Sequence, residues 1–305
     1  MQPQVRVATM TIVVFFEDAA IGALARDRIH ALASKHPSRV ILLDGTRDEG
    51  SRNDDGSDWL EVGARDAGAE ALTSSVAVLR LADAPVVLLW IAPGIGDDDR
   101  FCALAPEAQT VVYNSSLVDA GAGALRELVA YVANHPELPL ADIAYLRLAP
   151  WQESIAILFD GEEAAELNEL RRVEIECGSD PEGLYLIGWL ASRLGWSAQN
   201  GGSLENALGG RIEFAMSRGG DPRRIRRVAL CSSDSTFAAQ ADAAGQTIHL
   251  SVSGGRQRPE RYRLVNDAGI AALVERAILT SQHDRTFQAA LAAAGEILAQ
   301  RAQQS

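Results

Sequence analysis

The N-terminal part of the chain carries a strand–helix–strand pattern that leaves few possible folds. Residues Val5 to Phe16 read VRVATMTIVVFF, the β-branched and aromatic composition of a strand buried on both faces. Apolar residues then recur at helical spacing from Ile21 to Leu32, and Pro37 ends that pattern. Since Arg39 to Leu43 is again strand-like, the segment predicts a right-handed parallel βαβ unit.

The same alternation continues as far as Ala133. A stretch without apolar residues, Asp44 to Ser57, predicts a solvated loop. Strands are then expected at residues 59–62, 85–91 and 110–113, with helices between them. The fold class predicted for residues 1–137 is therefore α/β, an open, mostly parallel sheet flanked by helices. Two prolines in the stretch His135 to Pro139 predict the domain boundary there.

Residues 138–305 have a different pattern. We expect a strand at Ile143 to Leu148, a helix from Pro150, a strand at Arg171 to Cys177 and a helix from Pro181 to Leu194. Four further strand-like runs between residues 211 and 253 are separated by turn residues, as in hairpins, and two helices follow. The pattern predicts a C-terminal α+β domain with a mixed or antiparallel sheet.

Charge and composition exclude several classes of function. The 305 residues carry 28 Lys and Arg against 41 Asp and Glu, a formal charge of −13, which argues against a nucleic-acid partner. No apolar run approaches the length of roughly 20 residues that a membrane-spanning helix needs, so no membrane partner is expected. The three cysteines are widely spaced, and no secretory signal pattern is present. These features predict a cytoplasmic protein.

Motifs for enzymatic chemistry are also missing. Where a dinucleotide-binding domain would place its glycine-rich turn, after the first strand, this chain has Glu17, Asp18 and Ala19. The sequence contains no GxxxxGK[ST], GxSxG or HExxH motif. Each of the five histidines has an ordinary structural explanation. We therefore expect no catalytic residue, no metal site and no cofactor, although an enzyme that binds a sugar phosphate or nucleotide at the N-terminal sheet stays an alternative.

Several segments, in the same order, resemble one protein family. They are His36 to Leu42 (HPSRVIL), Ala84 to Trp90 (APVVLLW), Val112 to Asp119 with its pair of serines, Leu146 to Trp151 (LRLAPW) and Gly188 to Trp196 (GWLASRLGW). Together they resemble the glucose-6-phosphate dehydrogenase assembly proteins, the OpcA family. The resemblance implies a non-enzymatic protein of the oxidative pentose phosphate pathway that binds glucose-6-phosphate dehydrogenase and promotes its active assembly. The loop at 44–57 and the arginine-rich stretch at 211–263 carry none of these segments.

Three groups of residues are candidates for partner binding. On the helix from Pro181, the pattern places Tyr185, Trp189 and Arg193 on the face opposite its apolar side, a composition typical of interface hot spots. The alternative is a helix sandwiched between the sheet and another layer. Arg147 alternates with two leucines in its predicted strand, and it forms either a buried ion pair or a surface contact.

The third group is a cluster of arginines. Residues 211–263 contain ten arginines and five acids, with the densest cluster at Arg223, Arg224, Arg226 and Arg227. Such a cluster can steer an acidic partner or bind a phosphate. It can equally be a charged strand edge that protects against aggregation.

Overall fold

The computed structural model describes residues 8–48, 52–54, 58–119, 121–200, 202–220, 224–255, 259–265, 269–280 and 284–302. The chain forms two compact units, and each is assembled from separate segments. The first unit contains Met1–Asn114, Ala130–Ile143 and Ala268–His283, and the second contains Ser115–Val129, Ala144–Asp267 and Asp284–Ser305. This differs from the predicted division at residues 137 and 138, because a strand and a helix beyond that point belong to the first unit.

The secondary-structure elements alternate in the first half of the chain and are mainly strands in the second. The strands are β1 (Met10–Phe16), β2 (Ser38–Asp48), β3 (Arg52–Asp54), β4 (Trp59–Arg65), β5 (Val86–Ile91), β6 (Thr110–Tyr113), β7 (Leu140–Asp142), β8 (Arg172–Cys177), β9 (Ser197–Ala198), β10 (Leu204–Glu205), β11 (Arg211–Arg218), β12 (Ile225–Cys231), β13 (Ser235–Ala241), β14 (Thr247–Gly254) and β15 (Arg261–Leu264). The helices are α1 (Ala19–Lys35), α2 (Ala69–Leu79), α3 (Asp99–Leu104), α4 (Ser115–Val118), α5 (Gly123–Asn134), α6 (Ile143–Leu146), α7 (Ala149–Leu158), α8 (Asp180–Leu194), α9 (Ile270–Thr280) and α10 (Arg285–Ala302).

The first unit contains a seven-stranded sheet in the order β3-β4-β2-β1-β5-β6-β7. All pairs are parallel except β3 with β4, so the predicted α/β fold is confirmed. Strand β1 lies between β2 and β5, and its residues from Thr11 to Phe16 are buried. A strand covered on both faces requires the continuous apolar run seen in the sequence.

The acidic segment after β2 is more ordered than the sequence suggested. Strand β2 extends to Asp48, and Arg52–Asp54 form the short antiparallel edge strand β3, whereas residues 44–57 were predicted to be a loop. Strand β3 pairs with β4 through backbone hydrogen bonds, which residues of any type can make. Residues 49–51 and 55–57 of the predicted loop lie outside the described residues.

The second unit contains an eight-stranded sheet in the order β15-β14-β13-β12-β8-β11-β10-β9. Strands β8 and β11 are parallel and the other neighbours are antiparallel, as expected for a mixed sheet. Along β8, Val173, Ile175 and Cys177 are buried, while the residues between them are more exposed. Helix α8 packs on this buried side, since a Cβ atom at Gly183 would lie 2.8 Å from the Cys177 sulfur.

Two helices of the second unit pack tightly on each other. A Cβ atom placed on Gly188 of α8 would lie 2.4 Å from the carbonyl oxygen of Ala290 in α10. Glycine at this position therefore lets the two helix backbones approach closely. The result is a three-layer order of sheet, α8 and α10, in which α8 has protein on two sides.

One predicted strand was wrong. Residues 143–148 form the short helix α6 and a turn that leads into α7, rather than a strand. The chain is thus helical immediately after β7. Pro150 and Trp151 then lie at the start of α7, where the ring of Trp151 is buried.

Candidate functional site

In an open α/β sheet, ligands bind outside the carboxyl ends of the strands, at the point where the strand order reverses. In the first unit that point lies between β1 and β5, because β2 follows on one side of β1 and β5 lies on the other. Phe16 ends β1 and Ile91 ends β5. The residues around these two strand ends therefore decide whether this unit can hold a nucleotide.

The turn after β1 is built differently from a phosphate-binding turn. Asp18 is the N-terminal cap of α1, and its Oδ1 accepts a hydrogen bond of 2.8 Å from the backbone N–H of Ile21. A nucleotide phosphate would need those free N–H groups and the positive end of the helix dipole. The carboxylate of Asp18 takes one of these donors and places a negative charge at the same helix end.

An aromatic ring also packs against this turn. A Cβ atom at Gly22, in the first turn of α1, would lie 2.3 Å from the ring of Phe16. The guanidinium of Arg26 lies 5.1 Å from the centre of the same ring. Gly22 is therefore needed here for contact between the helix and Phe16, rather than for close approach of a ligand.

Arg100 connects the chain after β1 with the chain after β5, on the two sides of the point where the strand order reverses. Its Nη2 lies 2.8 Å from Oε1 of Glu17, which follows β1, and its Nε donates to Oδ1 of Asp98 at 2.9 Å. Its guanidinium lies 4.7 Å from the centre of the Phe15 ring, which in turn stacks on Trp90 of β5 at 4.1 Å. The Arg100 side chain is only 20% exposed. It therefore occupies the crevice between β1 and β5.

The two carboxylates of this cluster outnumber its one cation, Arg100. Burial raises the pKa of the Asp98 carboxyl, but hydrogen bonds and the positive charge of Arg100 lower it by more, so the pKa lies below its ordinary value. The two carboxylates raise the pKa of Arg100. Arg100 is therefore matched to Asp98 and Glu17 and is not an unpaired cation awaiting a phosphate.

A second acidic group, Asp44, lies on β2, the strand next to β1. Dinucleotide-binding domains use an acid after the second strand to hold the ribose hydroxyls. Here Asp44 accepts hydrogen bonds from Nη2 of Arg26 at 2.9 Å and from the backbone N–H of Thr46 at 2.9 Å. Burial raises the pKa of Asp44, but the hydrogen bonds from Thr46 and Arg26 outweigh it and lower the pKa. This carboxylate is committed to the protein's own side chains.

Other reactive chemistry is sparse in the described part of the chain. No group of three or more His, Cys, Asp or Glu side chains there is placed to hold a metal ion. The cysteines Cys102, Cys177 and Cys231 form no disulfide with one another. Burial raises the pKa of the Cys177 thiol to about 12, which keeps it protonated and unreactive near neutral pH.

The structure resolves the two alternatives for Arg147. Its Nη1 lies 3.1 Å from Oε1 of Glu182 and 3.1 Å from Oγ of Ser116. The Glu182 side chain is 1% exposed and sits in the first turn of α8, where the helix dipole favours a carboxylate. Arg147 thus forms a buried ion pair inside the second unit.

Helix α8 is sandwiched, so the expected surface position of Tyr185 was wrong. Tyr185 is fully buried, and its ring lies 5.5 Å from that of Tyr145 and 6.0 Å from that of Phe287 on α10. The cause is α10, which covers the side of α8 that faces away from the sheet. Trp189 is partly exposed and Arg193 is exposed, so only these two of the three predicted residues reach the surface.

The predicted arginine cluster lies on another surface. Arg223 falls outside the described residues, and Arg224 is half-buried, with its carbonyl accepting from the N–H of Gly178. Arg226 lies 3.4 Å from Glu176 and Arg227 lies 3.5 Å from Glu174, on the side of the sheet away from α8. The structure therefore does not bring Arg226 and Arg227 together with Trp189 and Arg193.

The Arg100 cluster was missed from the sequence. Its members come from the turn after β1 and the turn after β5, which are 83 positions apart. A usable indication was the absence of glycine after β1, combined with an isolated arginine among the acids Asp97 to Asp99. Only the topology shows that these two turns are neighbours.

Comparison with known proteins identifies the family. A family model that describes the C-terminal domain of the glucose-6-phosphate dehydrogenase subunit matches residues 138–291, which is half of the chain. The chain belongs to this family. The match includes β7, all strands of the second sheet and the helices as far as the first half of α10.

Curated relatives support the same family. A protein of Synechocystis sp. named OxPP cycle protein OpcA is 33% identical over 131 residues, which cover 42% of this chain and 27% of the relative. Its namesake from Nostoc punctiforme is 31% identical over 142 residues, covering 46% of this chain and 30% of the relative. The matched part of the chain thus spans less than a third of these relatives.

Solved structures share the fold. KijD10, a 3-ketoreductase from Actinomadura kijaniata in complex with NADP and TDP-benzene, has a TM-score of 0.54 at 13% identity, covering 96% of this chain and 97% of that one. Aldose-aldose oxidoreductase from Caulobacter crescentus has a TM-score of 0.53 at 12% identity, covering 97% and 98%. At this identity the likeness concerns the fold alone. Among the described helices, none is long and apolar enough to cross a membrane.

Proposed function

We propose that this chain is a cytoplasmic, non-catalytic assembly factor and activator that binds glucose-6-phosphate dehydrogenase and favours its active state. The observation that carries the proposal is the filled crevice of the first unit in a member of this dehydrogenase-associated family. Arg100 occupies the crevice, and Asp18 caps the helix end that would bind a phosphate. These two side chains lie where a glycine-rich phosphate-binding turn would otherwise be expected, which supports a role without catalysis on this chain.

The activating role has a thermodynamic requirement. The chain must bind the active conformation or oligomer of the dehydrogenase more tightly than the inactive one. Equal affinity for both would leave the equilibrium between the two states unchanged. By thermodynamic linkage, if this chain raises the affinity of the dehydrogenase for its substrate by some factor, bound substrate must tighten the complex by that same factor. Both effects arise without chemistry on this chain.

The test is a titration of the dehydrogenase encoded in the same genome. Its activity is measured at subsaturating glucose 6-phosphate with increasing amounts of this chain, and the mass of the complex is followed by light scattering. We expect a saturable rise at a defined ratio together with a larger complex. A flat titration with no change in mass would refute the proposal.

A second measurement addresses the enzyme alternative directly. A ligand that binds the native state raises the melting temperature. Because Arg100 and Asp18 occupy the crevice, we expect no shift with millimolar NADP or glucose 6-phosphate in the absence of the dehydrogenase. A clear shift of several degrees would favour a ligand-binding or enzymatic role instead.

Four of the predicted contact residues remain proposals for the partner surface: Trp189, Arg193, Arg226 and Arg227. The two pairs lie on different sides of the second sheet, so single substitutions separate them. If the arginines steer the partner, the association rate must fall steeply with salt. If the surface of α8 is the contact, Trp189→Ala must weaken the complex while leaving the salt dependence unchanged.

A further inference from the structure

Among the described elements, the helices that pack on the second sheet lie against one of its faces. Helix α8 packs on this face at Gly183, where a Cβ atom would lie 2.8 Å from the Cys177 sulfur. The ring of Phe159, directly after α7, lies 4.4 Å from Phe237, and the guanidinium of Arg301 near the end of α10 reaches Phe214 at 4.6 Å. The opposite side chains form what we call the outer face. They are Arg172, Glu174, Glu176, Arg211, Glu213, Ala215, Ser217, Arg227, Ala229, Cys231, Thr236, Ala238, Gln240, Thr247, His249, Ser251, Ser253, Tyr262 and Leu264.

Strand register places small side chains in two neighbouring rows of the outer face, which we call the floor, and in it Ala229 is 1% exposed and Ala238 is 9% exposed. Ala229 pairs with Ala238, and Ala238 pairs with Ser251, so three small side chains cross β12, β13 and β14 in one row. The adjacent row, Cys231, Thr236 and Ser253, is also small. Side chains of this size allow a second protein surface to approach the sheet closely.

The next row forms a ridge beside this floor. Arg227 pairs with Gln240, Gln240 with His249, and His249 with Tyr262. The imidazole of His249 stacks on the Tyr262 ring at 4.7 Å, and Tyr262 is 67% exposed. Leu264, two residues further along β15, is 83% exposed. Exposed Tyr and Arg residues beside a flat surface are typical of interface hot spots.

A β-bulge adds charge to one end of the ridge. The register of β12 against β8 shifts between Ile225 and Arg227, which inserts Arg226 as an extra residue. Arg226 and Arg227 therefore pair with the carboxylates Glu176 and Glu174 of β8 on the same face. Both guanidiniums keep exposed surface, so they remain available to carboxylates of a partner.

We propose that the outer face is the surface that docks glucose-6-phosphate dehydrogenase, with long side chains of the partner over the floor and carboxylates of the partner at Arg226 and Arg227. This inference rests on the proposed function and adds the location and chemistry of the contact. The dehydrogenase would lie on the side of the sheet that α8 does not cover.

The dimensions of the face fit a protein partner. Six strands about 4.8 Å apart and five or six residues long give a surface of roughly 30 Å by 20 Å, or about 600 Å² before side-chain relief is counted. A standard interface buries about 800 Å² on each partner. The floor is lined by small side chains of one sheet face, which gives little enclosure to a small molecule.

Charge favours a different protein over a second copy of this chain. With Arg226, and with Glu260 whose carboxylate lies 3.1 Å from His249, the outer face carries four arginines against four glutamates, whereas the whole chain carries −13. Two copies would bring together two strongly negative proteins, and net charge of this size keeps proteins apart. A nearly neutral face with exposed arginines instead suits a partner that presents carboxylates.

The experiment uses two floor variants and a matched control. Ala238→Arg and Ser251→Arg place a long charged side chain on the floor, and Ala156→Arg places the same side chain on the exposed surface of α7, on the covered side of the sheet. All are compared with the wild type for dehydrogenase binding by calorimetry and for the mass of the free protein by light scattering. Melting temperatures identify any variant that fails to fold, and Tyr262→Ala provides a substitution without added bulk.

We expect the floor variants to weaken the complex at least 30-fold, Tyr262→Ala to weaken it about tenfold, and Ala156→Arg to change it less than threefold. Unchanged binding by the folded floor variants would overturn the docking surface while leaving the proposed function intact. No binding by the wild type would overturn the proposed function itself. A wild-type homodimer that the floor variants dissociate, with dehydrogenase binding unaffected, would assign the face to a second copy and overturn the proposal.

Discussion

Two surfaces of this protein treat their charged side chains in opposite ways. At the carboxyl edge of the first sheet, Arg100 is 20% exposed and is held between Glu17 and Asp98. On the outer face of the second sheet, Arg226 is 50% exposed and its pair with Glu176 is longer, at 3.4 Å. The first arrangement holds its arginine among paired carboxylates with little exposed surface, and the second leaves its arginine half exposed.

This difference shows what a nucleotide crevice and a protein-binding surface each require. The nucleotide crevice depends on empty space and free N–H donors, and a few side chains are enough to remove both. A sheet face depends on area and flatness, which the strand framework supplies without any special residue. Small-molecule binding is therefore lost more easily than protein binding.

The largest expected effect on unfolding free energy comes from the buried ring of Trp90, which lies beside the Arg100 cluster. Trp90→Ala removes a fully buried ring that stacks on Phe15 and meets Phe101 edge-on at 5.2 Å. We expect a loss of about 4 kcal/mol in unfolding free energy, measured by urea denaturation followed by circular dichroism. Tyr262→Ala on the outer face is the control and should cost less than about 1 kcal/mol. Equal losses would mean that the outer face is part of a core.

The next effect compares a buried ion pair with an exposed one. Glu182→Gln leaves Arg147 buried without its carboxylate, and we expect a loss of about 3 kcal/mol. Glu176→Gln removes the partner of the exposed Arg226 and should cost less than about 1 kcal/mol. Urea denaturation of both variants at neutral pH checks the difference, and a larger loss for Glu176→Gln would reverse the comparison.

A smaller effect is the response of the first unit to acid. The folded-state pKa values of Asp44 and Asp98 lie below the ordinary value of 3.8, so both carboxylates stabilise the fold above that pH. Their contribution is lost as the pH falls below 3.8 through the folded-state values. We expect the double variant Asp44→Asn and Asp98→Asn to be less stable at neutral pH and to lose less stability between pH 5 and pH 2. This assignment would be contradicted if the double variant lost as much stability between pH 5 and pH 2 as the wild type does.

The smallest effect on stability belongs to the arginines of the outer face. Arg226→Ala combined with Arg227→Ala removes exposed ion pairs, so unfolding free energy should change by less than about 1 kcal/mol. The same double variant should associate more slowly with the dehydrogenase and show a weaker dependence on salt, as measured by stopped-flow. Trp189→Ala serves as the comparison, and we expect it to leave the salt dependence as in the wild type.

Much of the fold could be predicted because strands buried on both faces have continuous apolar sequences that are recognisable without a structure. The run that became β1 and the Pro-Val-Val strand β5 are buried as expected. The strand predicted at residues 143–148 was wrong because a short, nearly continuous apolar run fits one helical turn as well as a strand. Length and periodicity cannot separate the two over six residues.

The candidate surfaces were harder to predict, for a physical reason. Helical periodicity separates the faces of α8, but the cover over Tyr185 comes from α10, about 100 positions later. Likewise, Ala229 and Ala238 are small and apolar, so their sequence does not tell which side of the sheet they face. Such features depend on which elements meet, and only the folded chain contains that information.

The division of each unit into separate segments has a consequence for synthesis. Helix α9 completes the first unit, where its Glu275 lies 2.9 Å from His36 after α1, and α10 completes the second unit against Gly188. Neither unit can bury its full core before residues 270–302 have left the ribosome. Completion of the two cores therefore waits for these two helices, and until then the surfaces that α9 and α10 cover stay open to chaperones and neighbouring nascent chains.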